Sequence, residues 1–257
     1  RGEILYDDLN GQFVDFSSGP NGRLKLWVNI GKDGRPLTNH HHVVGVDIAA
    51  GTDASNSVIS VADLQTGEKV LEFAAPSVMP HTLAKIAVSI CYWLSKGDEP
   101  AFLVWEANGH GRIFGQTVLD LGFRNIYYRQ REDITKRSST IPGWWTTRES
   151  KLSLLGRYRE ALATKRFVNR SKEAVEECHD YVFLPNGSVD HVSALDVVDP
   201  SGANDNHGDR VIADALCAMA MTVRKIEEEQ EPEVPDNCFM ARRLAAQKRQ
   251  QEAETVW

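Results

Sequence analysis

The sequence predicts a mixed α/β domain on a single sheet, three antiparallel strands joined to two parallel ones, with helices on both faces. Three features carry that expectation. Residues 43–49, 57–64 and 69–74 are short apolar runs close enough in sequence to pair as a meander, the last two around the turn Thr66-Gly67-Glu68. From Pro80 onward helix and strand patterns alternate, as crossovers between parallel strands require. The run 101–105 is apolar throughout, as in a strand covered on both faces.

The elements follow in order. Residues 1–39 are rich in turn formers (Gly11, Ser17 through Gly22, Gly31 through Pro36), and 23–30 alternates well enough for a strand. That stretch reads as a hairpin leading into the core. His40-His41-His42 precede the first core strand and carry little weight as a metal site. Residues 80–96 place Leu83, Ile86, Ala87, Ile90 and Leu94 at helical spacing and stop at Gly97. A second helix at 111–121 stops at Gly122, and 125–128 is the expected fifth strand. A long basic loop covers 129–145, and helices follow at 148–164 and 171–183. Residues 208–225 form a strongly apolar helix, 227–235 an acidic linker with prolines, and 240–254 a charged, exposed helix. The order β-β-β-α-β-α-β-α is the ribonuclease H-like plan.

Composition bounds the function. At 257 residues, 42% hydrophobic and 25% charged, the chain has the balance of an ordinary globular protein. No run approaches the roughly 18 apolar residues of a membrane span, and no signal segment follows Arg1. Cys91, Cys178, Cys217 and Cys238 lie far apart without a C-x-x-C pair, so they read as buried thiols of a reducing compartment. A net charge of −7 argues against a polyanionic partner until its distribution is considered. Between Arg124 and Lys172 there are 13 basic and 4 acidic residues, a local balance of +9. A chain so polarised can hold a nucleic acid on one face and repel it elsewhere; basic helix faces turned to solvent are the plainer alternative.

Three acids interrupt apolar elements. Asp47 interrupts the strand Val43-Val44-Gly45-Val46-Asp47-Ile48-Ala49, Glu106 follows Phe102-Leu103-Val104-Trp105, and Asp209 opens the helix that continues Arg210-Val211-Ile212. A carboxylate in such company costs roughly several kcal/mol unless it is paired or binds a cation. Ligands of open α/β sheets gather at the carboxyl ends of strands, so Asp47 and Glu106 can share a crevice, with Asp209 opposite. Three carboxylates without a base repel one another, and a hard divalent cation relieves that repulsion. Oxygen-only ligands select Mg²⁺ or Mn²⁺, and two such ions make a clamp for displacement at phosphorus. Each acid alone has an ordinary alternative: a first-turn helix residue for Asp209, a turn residue for Glu106. Gly109 through Gly115 looks like a loose dinucleotide fingerprint, but its spacing is off. Asp47 through Asp53 resembles the first phosphate loop of actin-like kinases, which would need a second glycine-rich half that this sequence lacks.

Taken together, the motifs resemble the nuclease domain of the large terminase subunit, the DNA-packaging motor of tailed bacteriophages. The matching stretches are 23–27, 45–53, Glu106-Ala107-Asn108-Gly109-His110-Gly111, Thr146-Thr147-Arg148-Glu149-Ser150-Lys151, and His207-Gly208-Asp209-Arg210 continuing to Ala215. The resemblance implies a two-metal endonuclease that cuts concatemeric double-stranded viral DNA, working in the host bacterial cytoplasm with no membrane. It makes Asp47, Glu106 and Asp209 the catalytic, metal-binding triad and puts Lys151 near a phosphate. The family often has two adjacent acids where this chain has Gly208 and Asp209, which leaves the second-metal ligand open, with Asp53 and Asp205 as substitutes. Residues 41–226 would be the nuclease domain, 1–40 an N-terminal hairpin and linker, and 227–257 the acidic linker and charged tail. The implied partners are a terminase ATPase domain of the same full-length chain, the portal and the small terminase subunit. No Walker-type phosphate loop is present, in keeping with a C-terminal half. Arg129, Arg131, Lys136 and Arg137 of the basic segment are the expected phosphate contacts. A resolvase or transposase would share the triad, and a module that mainly docks to portal or DNA is the non-enzymatic alternative.

Overall fold

In a computed structural model, residues 1–49, 55–130, 138–184, 187–192 and 208–224 are described. Asp53, Arg131, Lys136, Arg137, Asp205 and the expected acidic linker and charged helix lie outside these residues. Six strands come first in the chain: β1 (Gly2–Tyr6), β2 (Phe13–Ser18), β3 (Leu24–Leu26), β4 (His42–Asp47), β5 (Ser57–Asp63) and β6 (Lys69–Ala75). Then follow α1 (Pro80–Trp93), β7 (Phe102–Trp105), α2 (Gly111–Asp120), β8 (Tyr128–Gln130) and β9 (Ser138–Pro142). The described chain closes with α3 (Arg148–Ala163), α4 (Lys172–Cys178), β10 (Tyr181–Phe183), β11 (Val189–His191) and α5 (Asp209–Val223).

Seven strands form one mixed sheet in the order β2-β1-β3-β6-β5-β4-β7. The meander β4-β5-β6 is antiparallel, and β7 runs parallel to β4 with Val46 opposite Trp105. This is the ribonuclease H-like arrangement. Alternation along β4 explains why the sheet is covered twice. Val44 and Val46 pack with α1 and α2 through Leu83, Ile90, Phe114 and Val118, whereas Val43 packs with α3 and α5 through Leu154, Leu216 and Met219. Pro80 opens α1, where its missing N–H costs nothing. At α3, Thr147 Oγ1 accepts from Ser150 N at 3.1 Å and Ser150 Oγ accepts from Thr147 N at 2.7 Å, a reciprocal cap.

Three expectations need correction. The fifth strand at 125–128 is a single parallel bridge, Leu103 to Ile126. The chain leaves the sheet there because Tyr128–Gln130 pairs instead with Ser138–Pro142, so the supposed basic loop contains a two-stranded ribbon. The helix expected at 171–183 stops at Cys178, and Tyr181-Val182-Phe183, aromatic and β-branched, pairs with β11. Finally, β1 and β2, from the segment read as a hairpin leading into the core, pair antiparallel and join the main sheet, and the strand expected at 23–30 spans only Leu24–Leu26. No helix among the described residues is long and apolar enough to cross a membrane.

Candidate active site

Asp47 is the last residue of β4, and Glu106 follows the last residue of β7. The parallel ladder continues one step beyond β7: Glu106 N donates to Val46 O at 3.1 Å. That bond fixes the two acids side by side at the carboxyl edge of the sheet. Their side chains also share a hydrogen bond. Burial, then the charges of Glu106 and Asp209, hold the Asp47 carboxyl well above the usual carboxylate range.

Asp209 is delivered from the other side by α5. Gly45 makes this possible: a Cβ there would lie 2.3 Å from Ala213 O and 2.9 Å from Cys217 Sγ, so only glycine lets the helix lie directly on β4. The Asp209 carboxylate accepts from Asn56 N at 2.8 Å, which ties it to the start of β5. Gly208 precedes it at φ +77°, and a Cβ there would lie 2.6 Å from the Tyr181 ring. The second acid that the resemblance would put at that position has no room here. Tyr181 donates to Gly208 O at 3.0 Å, and burial followed by the Asp47 and Asp209 charges raises its phenol pKa, so it stays protonated.

A scaffold of hydrogen bonds aims Glu106. Thr146 Oγ1 donates to Glu106 Oε1. Thr146 is itself clamped by Asn108, whose amide donates to Thr146 O at 2.9 Å and accepts from Thr146 N at 2.7 Å. The Glu106-x-Asn108 spacing and the distant Thr146 are thus one unit. A second scaffold lies under α5. Arg210 donates from its backbone N to Glu177 at 2.9 Å and from its guanidinium to Glu177 at 2.5 Å and Glu72 at 3.3 Å. Lys69, fully buried, is 2.7 Å from both Glu72 and Asp214. Burial alone would raise Glu72; Lys69 and then Arg210 outweigh it and bring its pKa to about 2.

The structure thus places the three expected acids within electrostatic reach of one another. Among the described residues no three His, Cys, Asp or Glu side chains are closed into a ready cation cage. Lys151, expected at a phosphate, is 2.5 Å from Asp190 on β11. Arg129 lies over the Trp145 ring at 5.1 Å. Thr146, Tyr181 and Arg210 were not singled out from sequence as site residues. Thr146 and Arg210 stand inside the recognised motifs, but Tyr181 carries no sequence signal, since its neighbourhood exists only after folding.

No protein-family model matches the chain, and no curated protein matches it. Solved structures do. The large terminase nuclease of the thermophilic phage G20c superposes with a TM-score of 0.52 at 14% identity, over 83% of this chain and 96% of that one. Its magnesium-bound form gives 0.53 at 15% identity, and its cobalt-bound form 0.52 at 16%, each over 83% of this chain and 95% of that one. At these identities the likeness establishes one thing: this chain has the fold of the large terminase nuclease.

Proposed function

We propose that the chain is the nuclease domain of a large terminase, a divalent-cation-dependent endonuclease that cuts concatemeric double-stranded viral DNA during packaging. The observation that carries this reading is the Asp47–Glu106 pair at adjacent strand ends with Asp209 close enough to raise the Asp47 pKa. Oxygen-only donors crowded together, with burial and the Glu106 and Asp209 charges pushing the Asp47 pKa well up, fit a hard cation that would relieve their repulsion. Asp47, Glu106 and Asp209 would hold Mg²⁺ or Mn²⁺, two ions in the fullest form. When bound, such ions supply the charge that activates an attacking water and stabilises the leaving oxygen at phosphorus.

The chain's own residues do the positioning. The Thr146 hydroxyl keeps Glu106 Oε1 turned into the crevice, Asn56 N–H and the first turn of α5 orient Asp209, and Tyr181 fixes the backbone just before it. The basic segment flanking the crevice would track phosphates, with Arg129 among the contacts and Arg131, Lys136 and Arg137 expected beside it. In this reading the working partners are a terminase ATPase domain, the portal and the small subunit, in the host bacterial cytoplasm. A plasmid-nicking assay with Mn²⁺ tests it. Wild type should nick and linearise plasmid only with the metal, and Asp47→Asn, Glu106→Gln and Asp209→Asn should each reduce cleavage below detection while remaining folded. Cleavage at the wild-type rate by any of the three removes that residue from the triad.

A further inference from the structure

On the α2 face of the sheet lies a cavity of about 450 Å³, walled by Trp105, Ala107, Arg112, Arg129, Pro142 and Trp145 among others. Its lining alternates with the catalytic edge: Trp105 and Ala107 flank Glu106, and Trp145 precedes Thr146, the residue bonded to Glu106, so the cavity and the acids occupy opposite faces of the same strand end. Two guanidiniums lie over the one indole, Arg112 at 5.4 Å and Arg129 at 5.1 Å from the ring centroid. Neither has an acidic partner among the described residues, unlike Arg23, Arg166, Arg170, Arg210 and Arg224. Arg129 Nε is buried with no hydrogen-bond partner among them.

Two like charges gathered on one ring repel, and a cation–π contact contributes only about 0.5–1 kcal/mol at a partly exposed site. A stacked guanidinium, however, keeps its N–H edge free for an in-plane, bidentate acceptor, which is the geometry of a phosphate. The glycine-rich stretch that imitated a dinucleotide fingerprint finds its use here: a Cβ on Gly111 would lie 1.8 Å from Glu106 O, so glycine lets the first turn of α2, with Arg112, start close against the strand end. We infer that Arg112, Arg129 and Trp145 form a subsite for a backbone phosphate of the DNA, across the strand end from the acids. Pro142 and the indole give the attached sugar an apolar wall. This rests on the duplex-DNA reading above.

The test is a titration of a fluorescein-labelled duplex at several salt concentrations, with Ca²⁺ replacing Mn²⁺ to prevent cleavage. Arg112→Gln and Arg129→Gln should each weaken binding roughly tenfold and flatten the salt slope by about one unit. Trp145→Leu keeps both charges but removes their platform, and should weaken binding as well. Lys32→Gln, an exposed charge on the N-terminal segment, is the control. Arg112 is exposed, so its variant will fold even if Arg129→Gln does not. A wild type that binds duplex while both arginine variants match it in affinity and slope overturns the subsite and leaves the nuclease reading standing. Equal losses from Lys32→Gln would assign the effect to net charge and also overturn it. A wild type that binds no duplex sinks the DNA reading itself, and the subsite with it.

Discussion

Lys69 shows how much of this molecule is decided by single buried charges. Its ammonium lies between Glu72 and Asp214 with no solvent contact, and although burial alone would lower its pKa, the two carboxylates outweigh that and raise it. Lys69→Met would leave two carboxylates buried without their base, and should cost about 3–5 kcal/mol in urea unfolding. A loss under 1 kcal/mol would mean the acids find another partner. Thr146→Val removes the hydroxyl that aims Glu106 and should lower metal-dependent cleavage roughly 10–100-fold with little change in stability. His42, 1% exposed, is pushed down to about 4 chiefly by burial, opposed by Asp63 and reinforced by His40 and His41. Its depressed pKa sets the sign: the unfolded chain takes up the proton first, so stability is full above about 6.5 and falls as pH drops toward 4, by about 3 kcal/mol from this residue. Urea titrations from pH 7 to 4.5 should show that slope in wild type and a flatter one in His42→Leu.

At the scale of elements, α5 is where fold and site meet. It rests on β4 through Gly45, and its first residue is Asp209. Gly45→Ala puts a methyl 2.3 Å from Ala213 O, so the helix must lift. The expected cost is about 1–3 kcal/mol of overpacking, with a larger proportional loss of cleavage because Asp209 moves with the helix. Full activity in that variant would separate the placement of Asp209 from the docking of α5. Helix α3 offers a plainer case: Thr147→Ala deletes one half of the reciprocal cap and should cost about 1 kcal/mol.

Across the whole molecule the charge is divided: −7 in total, yet +9 over residues 124–172. Part of that positive segment is paired with acids outside it, Lys151 with Asp190 and Arg170 with Glu68, so fewer unpaired cations remain than the sequence count implies. The acidic crevice carries the opposite balance, and Mn²⁺ in the millimolar range should raise the melting temperature of wild type by binding the folded state alone. Asp47→Asn should abolish the rise. A melting curve of wild type unmoved by Mn²⁺ would argue against a cation at these acids.

By itself the sequence determined the core strands 43–49, 57–64 and 69–74 and the helices with clear 3.6-residue spacing, and it made three acids at apolar elements stand out as candidates. It could do so because period and burial cost are local properties: a lone carboxylate ending an apolar run is conspicuous whatever surrounds it. The tertiary structure alone decided what depends on distant partners. Whether 125–128 joined the sheet turned on the rival pairing of Tyr128–Gln130 with Ser138–Pro142, and whether Tyr181–Phe183 was helix or strand turned on β11. Likewise the clamp of Asn108 on Thr146, the nearness of Tyr181 to Asp209, and the two arginines over Trp145 join residues that no sequence period connects. Short strands and side-chain networks take their free energy from partners far along the chain, so only the closed fold can select them.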